Sequence, residues 1–177
     1  KDAQTTASRN IRMCGRKIMS KTRSKNVVNA GDHCYKYRVD VKGITDQHSS
    51  GRCWMFTSLN GLRPTAQAKY DYTKFDFSHN YNYFWDILEK ANLYLENIIR
   101  TVEKDITDEE VVWYLKSPVG DGGVWNLFYN LGEKYGVVPK EVMPETEHSN
   151  NTGQMTSVIN RRLKKAGYDI RQVYENK

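Results

Sequence analysis

Residues 43–63 read GITDQHSSGRCWMFTSLNGLR, and the fold prediction depends on this stretch. Its first part is rich in Gly, Thr, Asp and Ser, a composition that is typical of a loop. A helix is predicted to begin near Ser50 and to continue through Leu62, because apolar side chains recur at helical spacing. Pro64 is predicted to end this helix. Cys53 then falls in the first turn of the helix.

The position of Cys53 suits a nucleophile. Unpaired N–H groups and the helix dipole stabilise a thiolate at the start of a helix. Arg52 is expected to add positive charge there, and Gly51 lets another molecule approach the backbone closely. The side-chain amide of Gln47 and the backbone N–H of Cys53 would together form an oxyanion hole. A small cysteine buried in a core helix is the other interpretation, and the residues alone leave both open.

Helical signals continue along most of the chain. Ser78 is a predicted N-cap for a helix of about six turns that ends near Val102. Thr107 and Glu110 form a predicted capping box for a short helix that ends at Leu115. The other predicted elements are a strand at 35–41, a break at 120–123, a helix at 124–135 ended by Gly136, an extended piece at 137–139, and a helix at 153–165 ended by Gly167. Helix therefore dominates, and we expect a helical lobe.

Length and charge limit the function classes. The chain has 177 residues, with 27 Lys and Arg against 21 Asp and Glu, and a net charge of +6. This length fits one domain or a piece of a larger protein. Residues 1–42 carry a net charge of +8, and the basic segment 9–25 could contact phosphates. Because that segment has no aromatic residue to stack on bases, a solvated surface or a subunit contact is favoured over nucleic acid.

The cysteines and the hydropathy pattern narrow the setting further. Three cysteines, at positions 14, 34 and 53, match neither a disulfide framework nor the spacing of metal ligands. We therefore expect no metal and a reducing, cytoplasmic environment. No run of about 18 apolar residues occurs, so the sequence predicts no membrane span.

Several stretches resemble one enzyme family. Residues 43–63 resemble the cysteine signature of the papain-like proteases, in the form found in the bleomycin hydrolase/aminopeptidase C branch. The similarity continues through FDFSHNYNYFWDILEKANLYLE at 75–96, SPVGDGGVWNLFYNLGEKYGVVPKEVMPET at 117–146 and HSNNTGQMTSVINRRLKK at 148–165. Residues 1–36 match poorly and are expected to form a basic N-terminal segment. The resemblance implies the α+β papain-like protease fold, with residues 37–177 as its helix-rich N-terminal lobe.

The resemblance also implies roles for individual residues. Cys53 corresponds to the family's nucleophile, and Gln47 corresponds to its oxyanion-hole glutamine. Gly122 and Gly123 correspond to the glycines whose backbone holds an extended peptide substrate, and Asp121 lies beside them. For Asp121, a carboxylate that bonds loop backbone is favoured over one that binds substrate. The implied reaction is removal of N-terminal residues from peptides through a thioester with Cys53, with no cofactor.

Such a reaction needs an imidazole base and an amide that orients it. In papain-like enzymes these residues follow the cysteine by about 130–150 positions, and the branch's late His and Asn motifs do not occur in this sequence. The histidines present are His33, His48, His79 and His148, and none of them is expected to be the base. We therefore expect an N-terminal part of a longer enzyme, silent by itself, and an intact polypeptide heavier than 20.6 kDa.

Two other functions stay open at this point. A degenerate homologue could bind peptides or assemble without catalysis, and a nucleic-acid-binding module could use residues 9–25. The joint presence of Gln47, Cys53 and the two glycines argues for the enzyme. The family forms a hexameric barrel whose active sites face an interior channel, so the resemblance also implies a homo-oligomer.

Overall fold

The computed structural model describes residues 43, 45–70 and 74–176, which belong to one compact unit, Val41–Lys177. The predicted strand at 35–41 and the basic segment 9–25 lie outside the described residues, as does the whole of 1–36. The described part holds six helices, which are α1 (Cys53–Tyr70), α2 (His79–Arg100), α3 (Glu109–Lys116), α4 (Trp125–Tyr135), α5 (Glu147–Asn150) and α6 (Thr152–Glu175).

Strand pairing is nearly absent from these ranges. The described residues contain two isolated bridges, one parallel between Ser49 and Asn151 and one antiparallel between Phe77 and Pro139. The predicted extended piece at 137–139 is therefore present, and it pairs with the residues that lead into α2. The helix-rich lobe is confirmed, whereas the β part of the expected α+β fold does not appear among the described residues.

Helix α1 contributes much of the core. Trp54, Phe56 and Leu59 are buried, as their helical spacing predicts, and Met55 is fully buried with them. The predicted end at Pro64 is wrong, because α1 continues to Tyr70 with the proline inside it. Two contacts hold the segment after the proline: Ala66 packs against the core cluster, and the Gln67 side chain donates to the carbonyl of Phe75 at 3.1 Å.

Helix α2 packs against α1, α3, α4 and α6 and is the centre of the lobe. Ser78 caps it as predicted, since its hydroxyl accepts from the N–H of Tyr81. The apolar residues do not all face inward, however, because Phe84, Leu88 and Ile99 are exposed. The buried face of α2 carries polar groups that bond loop carbonyls: Asn80 donates to Pro144, and Asn82 donates to Gly136.

The ends of the later helices agree only in part with their predicted positions. Asp108, not Thr107, caps α3, because its carboxylate accepts from the N–H of Glu110 at 2.9 Å. Gly136 ends α4 as predicted, with a φ of 75° that suits glycine.

Helix α6 continues past Gly167 to Glu175, contrary to the prediction. A Cβ added at Gly167 would lie 2.5 Å from the Tyr94 hydroxyl, so this glycine allows α6 to approach α2 closely. None of the helices in the described ranges combines the length and the apolar character needed to cross a membrane.

Candidate active site

Cys53 is the first residue of α1, and its free thiol is exposed. The prediction that it lies in the first turn of a helix is therefore confirmed, and burial in the core is ruled out. Cys53 sits at the N-terminal end of the helix, where the unpaired N–H groups are concentrated. Its neighbour Trp54 turns into the core and is 9% exposed.

A tight turn precedes the cysteine. The Gln47 amide donates to the Ser50 carbonyl at 2.7 Å, and the Ser50 hydroxyl donates back to the Gln47 carbonyl at 2.7 Å. His48 between them adopts a φ of 51°, a left-handed conformation that few residues other than glycine adopt. Because a glutamine amide has two protons, one remains for an oxyanion after the bond to Ser50.

Arg52 has a different role from the one expected. Its side chain is completely buried, and its guanidinium donates to both carboxylate oxygens of Glu145, at 3.2 and 3.0 Å. Its Nε donates to the Ser50 hydroxyl, and its guanidinium lies over the rings of Phe56 and Tyr83. Glu145 compensates the positive charge, so Arg52 anchors the turn before Cys53 and is not a free cation beside the thiol.

The loop at 120–123 lies against the first turn of α1. A Cβ added at Gly123 would lie within 2.7 Å of the Trp54 indole, so only glycine fits there. The Trp54 Nε1 donates to the Asp121 carbonyl at 2.8 Å. Across the described part of the chain, the backbone N–H and C=O of Gly123 have no hydrogen-bond partner, which leaves both open to an added extended chain.

The Asp121 carboxylate joins this loop to other segments. It accepts from the N–H of Gly51 at 3.1 Å, the Tyr83 hydroxyl at 2.7 Å and the Thr156 hydroxyl at 3.3 Å, and also from the Thr152 hydroxyl. Burial opposes its ionisation, but these hydrogen bonds outweigh burial and hold the pKa of Asp121 below its ordinary value. The carboxylate is fully engaged within the protein, as expected for one that bonds loop backbone, although the backbone belongs to a distant loop.

The described histidines do not reach the thiol. His48 and His148 are exposed, and His79 is 1% exposed and stacks on Phe56 with ring centroids 3.8 Å apart. Burial lowers the pKa of His79 to about 4, despite the nearby carboxylates of Asp76 and Glu145. Among the described residues, no side chain hydrogen-bonds to the Cys53 thiol, so this part of the chain holds no imidazole partner for it.

Sequence reasoning missed Glu145 and Lys90, which hold the turn and the loop. No local signal marks Glu145, because its partner Arg52 is 93 positions away. Lys90 follows Asp86 by four positions, a spacing that predicts an ion pair on one helix face but not the contact with a remote loop.

A sequence profile of the Peptidase C1-like family matches residues 1–177. The chain belongs to this family. Aminopeptidase C of Lactobacillus delbrueckii subsp. lactis is 39% identical over 140 residues, which cover 79% of this chain and 31% of that protein. Bleomycin hydrolase of Rattus norvegicus is 36% identical over 141 residues, which cover 77% and 31% of the two chains.

A solved structure gives the same assignment. The crystal structure of PepW from Lactobacillus rhamnosis HN001 superposes with a TM-score of 0.77 at 35% identity, covering 86% of this chain and 34% of PepW. The resemblance seen in the sequence is thus confirmed, and the lobe is part of the papain-like fold of Peptidase C1-like proteins. The chain spans about a third of the length of the curated relatives it matches.

Proposed function

We propose that the intact protein is a cysteine peptidase of the aminopeptidase C and bleomycin hydrolase type, which cleaves peptide bonds through a thioester with Cys53. One observation carries this proposal: a free, exposed thiol at the start of α1 lies beside a loop whose Gly123 backbone is unpaired among the described residues. Relatives named aminopeptidase C and bleomycin hydrolase support the same chemistry.

The described residues supply three parts of the reaction. The Cys53 sulfur bonds to the scissile carbonyl carbon, and the carbon–nitrogen bond then breaks to leave a thioester that water hydrolyses. The backbone N–H of Cys53 and the remaining amide proton of Gln47 stabilise the oxyanion. Gly123 offers one donor and one acceptor to an extended peptide, in the manner of an added strand.

The base comes from residues that lie beyond the described ranges. An imidazole takes the proton of the thiol and returns it to the leaving amine, a contribution of about 10²–10⁴ in rate. His48 and His148 are exposed and His79 is buried, and none of these rings contacts Cys53. The described part of the chain is therefore expected to be silent by itself, and activity is expected of the intact protein.

Replacement of the thiol in the intact protein tests the proposal. Cys53→Ala should abolish hydrolysis of a peptide with a free N-terminus while circular dichroism stays unchanged. Gln47→Ala should lower kcat by about 10²–10³, the usual effect of losing one oxyanion donor. Asp169→Ala, which changes an exposed side chain of α6, is the control and should keep full turnover. Normal turnover in Cys53→Ala would exclude the proposed function.

A further inference from the structure

The ammonium group of Lys90 has three partners and therefore no proton to spare. Its Nζ donates to the Asp86 carboxylate at 2.7 Å and to the carbonyls of Gly120 and Gly122, each at 2.8 Å. It also lies 5.5 Å from the centre of the Trp54 ring, the indole next to the nucleophile. A lysine carries three donors, so the group is saturated by the helix below it and the loop above it.

In the loop at 120–123, each of the three backbone carbonyls before Gly123 accepts a hydrogen bond. Lys90 bonds the carbonyls of Gly120 and Gly122, and the Trp54 indole bonds the carbonyl of Asp121 between them. These three carbonyls face the body of the lobe. Among the described residues, the first loop carbonyl without an internal partner is that of Gly123, whose N–H is unpaired as well.

The buried Asp86–Lys90 ion pair fixes the position of the Lys90 ammonium group and adds little to folding stability. Asp86 is 3% exposed and the Lys90 side chain 19%, so both charges have lost most of their water. Desolvation raises the pKa of Asp86 to about 6, although Lys90 favours its ionised form. A buried ion pair rarely gives net stability, because desolvation offsets the attraction. What the pair does provide is an ammonium group fixed beneath the loop.

We propose that Lys90 is a positioning residue, which sets the height and direction of the Gly123 backbone relative to Cys53 for peptide binding. This inference rests on the proposed peptidase function. Lys90 touches neither the thiol nor the substrate and acts through the loop. Loss of its ammonium group releases two carbonyls at once, so the Gly123 donor and acceptor lose their alignment with an incoming peptide.

Kinetics on the intact protein separate this role from general structural support. The variants are Lys90→Met, which keeps the length of the side chain, Lys90→Arg, which keeps its charge, and Lys134→Met as the control. Lys134 pairs with Glu89 on an exposed surface and has no contact with the loop. For each variant, kcat and KM are measured on a tripeptide with a free N-terminus, and Cys53 is alkylated with iodoacetamide.

Lys90→Met should raise KM by about 10- to 100-fold, the effect expected from losing charge-assisted hydrogen bonds. Its kcat should change less than its KM, and its alkylation rate should stay within about twofold. Lys90→Arg should give a smaller rise in KM, because a planar guanidinium cannot meet all three acceptors. Lys134→Met should match the unmodified protein.

An unchanged KM in Lys90→Met overturns the proposal, as does a fall in alkylation that parallels the fall in kcat/KM. If Lys90→Met does not fold, Lys90→Arg decides: a raised KM at constant alkylation supports the role, and an unchanged KM refutes it. Cys53→Ala in the same assay keeps the two proposals apart. Turnover in Cys53→Ala excludes the peptidase mechanism, whereas a KM that is unchanged in Lys90→Met excludes only the positioning role.

Discussion

Removal of the Glu145 carboxylate should destabilise the protein far more than removal of an exposed carboxylate. Arg52 has no exposed side-chain surface, and its two bonds to Glu145 measure 3.0 and 3.2 Å. In Glu145→Ala the buried guanidinium keeps the Ser50 hydroxyl and two aromatic faces but loses its counter-charge. Breaking one side of a buried pair costs about 3–5 kcal/mol.

The partial exposure of Glu145 decides where in this range the loss of unfolding free energy falls. Its side chain is 18% exposed, so water can reach the vacated position and solvate part of the guanidinium. We therefore expect a loss near the lower limit, about 3 kcal/mol of unfolding free energy. A double variant, Arg52→Met with Glu145→Leu, should recover most of this loss, because it removes both charges together.

Urea unfolding of the intact protein, followed by tryptophan fluorescence, measures these differences. Asp169→Ala is the matched control, because its i,i+4 pair with Lys165 is exposed on both sides. The control should lose no more than about 0.5 kcal/mol. A Glu145→Ala loss as small as that of the control would refute the argument that Arg52 depends on its counter-charge.

Three further outcomes are expected from the intact protein. Gly123→Ala should lower peptide turnover and stability, because its Cβ would overlap the Trp54 indole, whereas Gly122→Ala has open space and should unfold normally in urea. Gly167→Ala should destabilise, measured by thermal unfolding, because about 1–3 kcal/mol of overpacking against the Tyr94 hydroxyl exceeds the gain of about 1 kcal/mol in helix propensity. Burial lowers the pKa of His79 from 6.5 to about 4, so the folded state binds fewer protons than the unfolded state between these values. The free energy of unfolding should then decrease by about 2 kcal/mol between pH 7 and pH 5. Urea titrations at the two pH values should show no such decrease in His79→Phe.

Local signals predicted the features that depend on neighbours in sequence. The Ser78 cap, the end of α4 at Gly136 and the placement of Cys53 in a first turn each follow from a few adjacent residues. The predicted ends at Pro64 and Gly167 failed because tertiary contacts outweigh helix propensity at both positions. Gly167 lies within α6 because α6 packs closely against α2 at this position, and helix propensity alone carries no information about that contact.

In the candidate site, too, the sequence predicted the residues that a local motif marks and missed their distant partners. Motif and resemblance predicted Cys53 as the nucleophile together with Gln47 and the glycine pair, and the contacts of Asp121 and Trp54 bring their segments together. The groups that hold these segments were not recognisable. Arg52 was interpreted as a local charge because four helices, α1 to α4, separate it from its partner Glu145 in the chain. The inner face of α2 is only partly apolar, because two of its buried side chains bond loop carbonyls.

The segment before Cys53 depends on partners that the chain reaches much later. Gly51 donates to a carboxylate 70 positions onward, Arg52 donates to one 93 positions onward, and the Ser49 carbonyl accepts from the N–H of Thr152. During synthesis, the thiol therefore emerges on a turn whose anchors do not yet exist. Contacts of long sequence separation form slowly, so the geometry around the thiol is completed only after α6 has begun to dock.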